Sequence, residues 1–128
     1  MKSKNNTDIV KICVVTTSRA EYGLLKNFIK KLLKNKKFKL KLIVTGAHVN
    51  NQFGNTINEI SSDGFKNFYK INILNKNDSE LDAIDTVASC LSKISRVLRK
   101  IDPNLLCVLG DRYEILGVCY SATLLKIP

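Results

Sequence analysis

The sequence predicts an α/β fold, a parallel sheet with helices on both faces, and three observations carry that prediction. Ile9–Thr17 and Leu105–Leu109 are nearly continuous apolar runs, as strands covered on both faces require. Amphipathic segments of helical period lie between the runs. Strands and helices therefore alternate as β-α-β-α-β-α-β-α, which implies parallel pairing, and right-handed crossovers favour the strand order 3-2-1-4.

The elements follow in order. Ile9–Thr17 is β-branched and interrupted only by Lys11. Ser18 and Glu21 then form a Ser-x-x-Glu capping box, and Leu24, Leu25, Phe28, Ile29, Leu32 and Leu33 give the next helix an apolar stripe opposite its lysines. Phe38–Thr45 is a second strand, broken by Gly46-Ala47-His48. Asn50–Ser62 reads as a helix anchored by Ile57 and Ile60. Phe65–Leu74 alternates through Phe68, Ile71 and Ile73, an edge strand. Ser79–Lys100 is the longest helix, capped by Asp78 or Ser79 and stopped by Asp102-Pro103. Leu105–Leu109 is the fourth strand, and Tyr113–Lys126 the last helix.

At 128 residues the chain fits one domain, taken as 9–128 behind a flexible tail at 1–8. No segment is apolar enough to span a bilayer and none reads as a secretion signal, so the expectation is a cytoplasmic protein with no membrane partner. Cys13, Cys90, Cys107 and Cys119 are widely spaced within apolar runs, which predicts reduced, packed thiols. The net charge of +10 comes mostly from lysines without interleaved stacking aromatics. A solvated basic face is expected, and no nucleic acid partner.

The predicted strand order makes the first and fourth strands neighbours whose helices leave to opposite faces. Ligands bind at such a switch point in open α/β sheets. Thr17-Ser18-Arg19-Ala20-Glu21-Tyr22-Gly23 and Gly110-Asp111-Arg112-Tyr113-Glu114 follow those two strands, which places Arg19 and Asp111 at one crevice. The first turn opens a helix and Arg19 adds a two-pronged donor, a combination suited to phosphate. Asp111 is either a general acid or base, or the cap of the following helix or partner of an arginine. Arg112 and Glu114 read equally as a surface ion pair. The single histidine, His48, lies in a loop on the same edge. No Gly-x-Gly-x-x-Gly follows the first strand, and Thr45-Gly46 stands where a nicotinamide domain would supply its acid. There is no Walker-type turn and no metal-ligand cluster.

At Thr16-Thr17-Ser18-Arg19-Ala20-Glu21-Tyr22-Gly23-Leu24-Leu25 the chain resembles the hydrolysing UDP-N-acetylglucosamine 2-epimerases, closest to the branch feeding sialic and related nonulosonic acids. Val44-Thr45-Gly46-Ala47-His48, Phe53-Gly54 through Ile60 to Asp63-Gly64-Phe65, and Val108-Leu109-Gly110-Asp111-Arg112-Tyr113-Glu114 extend the likeness in order along the chain. The resemblance implies a Rossmann-like domain, the partial N-terminal domain of a glycosyltransferase-B-type fold. A UDP-N-acetylhexosamine would lie between two such halves. It also implies expulsion of UDP while a base takes the C2 proton, then addition of water, with no redox cofactor and no metal. Carried onto this sequence, Asp111 becomes a catalytic acid or base candidate and Arg19 and Arg112 face the diphosphate; Ser18, a helix cap in the same turn, is grouped with them as a diphosphate contact. His48 and Glu114 belong to the pocket rim.

The likeness stops at Ile127-Pro128, before the family's His-Gly-Gly segment and second domain. The expectation is a fragment inactive alone, completed by a C-terminal domain or partner chain, with homo-oligomers a further partner. Such a chain would leave the outer edge of the fourth strand unpaired. The alternative is a non-catalytic Rossmann-like nucleotide-binding or protein-interaction module. A receiver-type phosphoacceptor ranks last, because no acidic pair follows the first strand.

Overall fold

The computed structural model describes residues 9–50, 56–75 and 77–128, and the expected tail at 1–8 lies outside them. The elements among the described residues are β1 (Val10–Thr16), α1 (Arg19–Lys34), β2 (Phe38–Val44), a 3-10 turn at Gly46–His48, α2 (Ile57–Ser62), β3 (Tyr69–Lys70), α3 (Glu80–Ile101), β4 (Leu105–Val108) and α4 (Tyr113–Leu124). The sheet order is β3-β2-β1-β4 with every pair parallel, as the alternation of elements predicts.

Strand pleating explains why β1 is apolar along almost its whole length. Ile12 and Val14 join Leu42 and Val44 on one face, against Tyr22, Leu25, Ile29 and Leu32 of α1 and Ile60 of α2. Cys13, Val15 and Ile43 face the other way, against Cys90, Ile94, Leu98 and Ile101 of α3 and Val118 of α4. The helices thus change sides between β1 and β4, and the switch point lies there. Lys11, which interrupts the apolar run, has its own task. Its Nζ donates to the carbonyls of Ile101 at 2.6 Å and Asp102 at 3.2 Å, placing a cation at the C-terminus of α3.

Several sequence expectations need correction. The buried stripe of α1 is Tyr22, Leu25, Ile29 and Leu32, whereas Leu24, Phe28 and Leu33 are exposed. Six apolar residues made a stripe wider than the sheet covers, and Tyr22 at the first turn sets the rotation. The expected strand over 65–74 pairs only at Tyr69–Lys70, although Ile71 and Ile73 are buried. The helix expected over 50–62 is α2, confined to Ile57–Ser62, with residues 51–55 outside the described set. The α3 cap is Ser79, reciprocated by Asp82. Leu81 and Ile84 near its start are exposed.

Cys13 and Cys90 are buried, and burial pushes both thiols up to about 12, which leaves them unreactive at neutral pH. Cys119, by contrast, is exposed. The outer edge of β4 is partly covered by the chain itself, since Leu106 N–H donates to the Pro128 carbonyl at 2.7 Å. Gly117 lets α4 lie close on α3, because a methyl group there would fall 2.9 Å from Cys90 Cβ.

Two substitutions on α1 test the corrected rotation. Ile29→Ala should cost about 2–5 kcal/mol in urea unfolding, as expected for a fully buried isoleucine. Leu24→Ala should stay within about 0.5 kcal/mol of the parent, as expected for an exposed position. Equal costs would contradict the packing.

Candidate functional site at the switch point

Because β1, β2 and β4 run parallel, their C-terminal ends meet at one rim. The segments that follow carry every residue singled out in the sequence. Two of these segments are tied by backbone bonds: Thr45 N–H donates to the Thr16 carbonyl at 3.1 Å and Ala47 N–H to the Thr17 carbonyl at 2.8 Å.

Glu21 links the segments after β1 and β4. Its carboxylate is buried, and its Oε2 accepts from Thr17 N–H at 2.9 Å and the Thr17 hydroxyl at 2.7 Å. The other oxygen, Oε1, has no hydrogen-bond partner among the described residues. It faces Gly110, where a methyl group would lie 2.3 Å away. Gly110 also has φ +124°, a conformation that favours glycine. The expected capping box is therefore only half formed. Ser18 Oγ accepts from Glu21 N–H at 3.5 Å, but Glu21 returns its carboxylate to Thr17 rather than Ser18. Thr17 offers two donors where Ser18 N–H offers one.

The residues expected to face a ligand divide into exposed and buried sets. Asp111 is exposed, and no hydrogen bond or ion pair holds it among the described residues. It neither caps α4, whose N-cap is Arg112, nor pairs with an arginine. The Arg19 side chain is 75% exposed and turns to Glu59 of α2 at 3.1 Å, an exposed pairing of small energy. Arg112 and Glu114 do pair, with Nε donating to Oε1 at 2.8 Å, yet this is no surface pair because Glu114 is wholly buried. The bond to Glu114 raises the Arg112 pKa above its ordinary value, and the nearby Glu21 charge adds to this. The Arg112 guanidinium also lies 5.8 Å from the Tyr113 ring centroid.

His48 lies beneath the rim rather than on it, at 2% exposure. Its Nε2 meets Thr16 Oγ1 at 2.9 Å and its Nδ1 meets Thr56 Oγ1 at 2.7 Å, with the Tyr22 ring edge-on at 6.1 Å. Burial lowers its pKa to about 4, against smaller opposing effects from the Ser18 backbone and Glu59. The Tyr22 hydroxyl donates to Asp63 at 2.8 Å, and Lys26 at 2.7 Å holds the Asp63 carboxyl below its usual range. Sequence reasoning missed the structural roles of Thr17 and Tyr22, and gave Glu21 only as the capping partner of Ser18. The signal available was their position in the same short segment as Arg19.

A family model described as UDP-N-acetylglucosamine 2-epimerase matches residues 30–128. The chain belongs to that family. Among curated relatives, the GDP/UDP-N,N'-diacetylbacillosamine 2-epimerase (hydrolyzing) of Campylobacter jejuni is 37% identical over 92% of this chain and 30% of its own length. The polysialic acid biosynthesis protein P7 of Escherichia coli is 35% identical over the same shares, 92% and 30%. This epimerase-family chain thus spans 30% of the length of these relatives. A solved structure of UDP-GlcNAc 2-epimerase from Neisseria meningitidis, bound to UDP-GlcNAc, superposes with a TM-score of 0.77 at 24% identity, covering 93% of this chain and 31% of that one. The fold is therefore that of the Rossmann-like N-terminal part of the glycosyltransferase-B-type epimerases. Among the described residues no helix is long and apolar enough to cross a membrane, and no group of three His, Cys, Asp or Glu could hold a metal ion.

The close approach of Glu21 to Gly110 predicts coupled energetics. Gly110→Ala should cost about 2–4 kcal/mol through strain and overlap. Glu21→Ala carries its own cost from the lost Thr17 bonds but relieves the overlap at position 110 and leaves the backbone strain there, so the double variant should be about 1 kcal/mol more stable than the summed single effects. Additive costs would contradict the contact. His48 sets a pH dependence with a definite sign. Its folded pKa of about 4 lies below its unfolded value, so its stabilisation is complete above about pH 6.5 and is lost as pH falls toward 4. Unfolding free energy should drop by up to about 3 kcal/mol over that window, and His48→Gln should flatten the profile.

Proposed function

We propose that this chain provides one half-site of a hydrolysing 2-epimerase acting on a UDP-linked 2-acetamido sugar, in the supply of sialic or related nonulosonic acids. The observation that carries this reading is the meeting of two segments at the switch point, with Glu21 packed on Gly110 and Asp111 exposed beside Arg112. In the reaction a base takes the proton from C2 as the C1–O bond breaks, giving a glycal and UDP. Water then supplies hydroxyl to C1 and a proton to C2 on the opposite face, which releases the free 2-epimeric sugar. Asp111 is the acid or base of this site, and Arg112, Arg19 and Ser18 receive the diphosphate leaving group, whose charge grows in the transition state. The remaining substrate contacts come from a further domain or a partner chain. A UDP-linked diacetamido sugar is the second substrate to try, because the Campylobacter jejuni relative is named for one. A cytoplasmic location suits a charged nucleotide sugar that does not cross bilayers unaided.

One observation favours a second reading, an interaction module: α4 leaves Leu116, Tyr120 and Leu124 exposed. Titration of the chain with UDP separates the two. The half-site reading expects saturable binding that Arg112→Ala weakens about tenfold and Asp111→Asn leaves unchanged. Indifference to UDP together with tight self-association would contradict it and support the module.

A further inference from the structure

Glu114 is a carboxylate with no exposure to solvent, held by one charged bond. Its Oε1 takes the Arg112 Nε–H at 2.8 Å, while Oε2 has no hydrogen-bond partner among the described residues. Enclosing a carboxylate is costly unless a cation and a favourable dipole accompany it. Arg112 supplies the cation, and the first turn of α4, where Glu114 sits, supplies the dipole. The bond uses Nε and leaves both terminal nitrogens of the guanidinium without a hydrogen-bond partner among the described residues. The Arg112 side chain keeps 39% of its surface in solvent. A guanidinium fixed at Nε, with Tyr113 against it, presents its Nη1 and Nη2 edge as a two-pronged donor set in advance.

We propose that Glu114 is a positioning residue: it fixes the Arg112 guanidinium so that the free Nη edge grips a diphosphate at the switch point. This rests on the reading of the crevice as a nucleotide-sugar half-site and adds how that half-site is preorganised. Glu114 itself touches no ligand. Its effect passes wholly through Arg112, because its own carboxylate is buried. Preorganisation matters here because a free arginine would lose rotamer freedom on binding.

The test uses the 128-residue chain with UDP and inorganic pyrophosphate as probes, and compares Arg112→Lys, Glu114→Gln and the double variant. A lysine at 112 keeps the charge but has no Nε–H fork to hold. Glu114→Gln is expected to weaken pyrophosphate and UDP about tenfold while leaving uridine, which lacks phosphate, unaffected. In the Arg112→Lys background it should cost nothing further. A full loss in that background, or parent-like binding by Glu114→Gln, would overturn the inference. In case Glu114→Gln does not fold, the parent chain offers a second measurement. The Arg112 Nε–H should give a slowly exchanging NMR signal before ligand is added, and fast exchange would overturn the inference too. No UDP binding by the parent would remove the proposed function itself. UDP binding that Arg112→Lys leaves intact would spare that function and overturn only this inference.

Discussion

The rim of the sheet is organised around one buried carboxylate, that of Glu21. Neighbouring strands β1 and β4 release their chains toward opposite faces, and nothing in the strand pairing alone fixes how the two released segments meet. Glu21 does so by accepting from Thr17 on one side and packing on Gly110 on the other. A buried charge tolerates little displacement of its donors, so the contact specifies geometry more than it adds stability. Gly110 in turn keeps its unusual backbone angle, which carries Asp111 out to solvent and starts α4 at the rim.

This arrangement bears on how the crevice can hold an anion. Helices α1 and α4 both open at the rim, and their N-termini would each favour negative charge. Both already carry an acid in the first turn, Glu21 and Glu114, and both acids are buried. The helix ends are therefore partly answered from within the chain. Under the proposed function, the attraction for a phosphate would then fall on the arginines. Arg19 is exposed and engaged by Glu59, whereas Arg112 is braced from beneath by Glu114. Glu114, an acid that by its charge alone opposes an anion, thus braces the cation beside it.

The strand order, the two-faced helix arrangement and the location of the switch point were legible because they follow from alternation and chain handedness, which composition does not blur. Burial on α1 was not legible: Leu24, Phe28 and Leu33 are as apolar as Leu25, Ile29 and Leu32, and only the width of the sheet decides between them. The Arg112–Glu114 pair read as a surface feature for a similar reason. Charge at positions two apart says nothing about depth, which is set when Gly117 allows α4 to close on Cys90. His48 was misplaced at the rim because a loop position suggests exposure, while two threonine hydroxyls offer both ring nitrogens a partner inside. Asp111 was left open between capping and chemistry, and the N-cap position of Arg112 excludes the capping role.

Residue-resolved amide shifts of the chain on addition of UDP test the switch-point site most directly. The largest changes should cluster at residues 17–19 and 110–114, with lesser ones at 46–48. Changes concentrated instead on the lysine-rich stretch from Lys26 to Lys41 would mean that UDP is held by general charge, and would contradict a site at the rim.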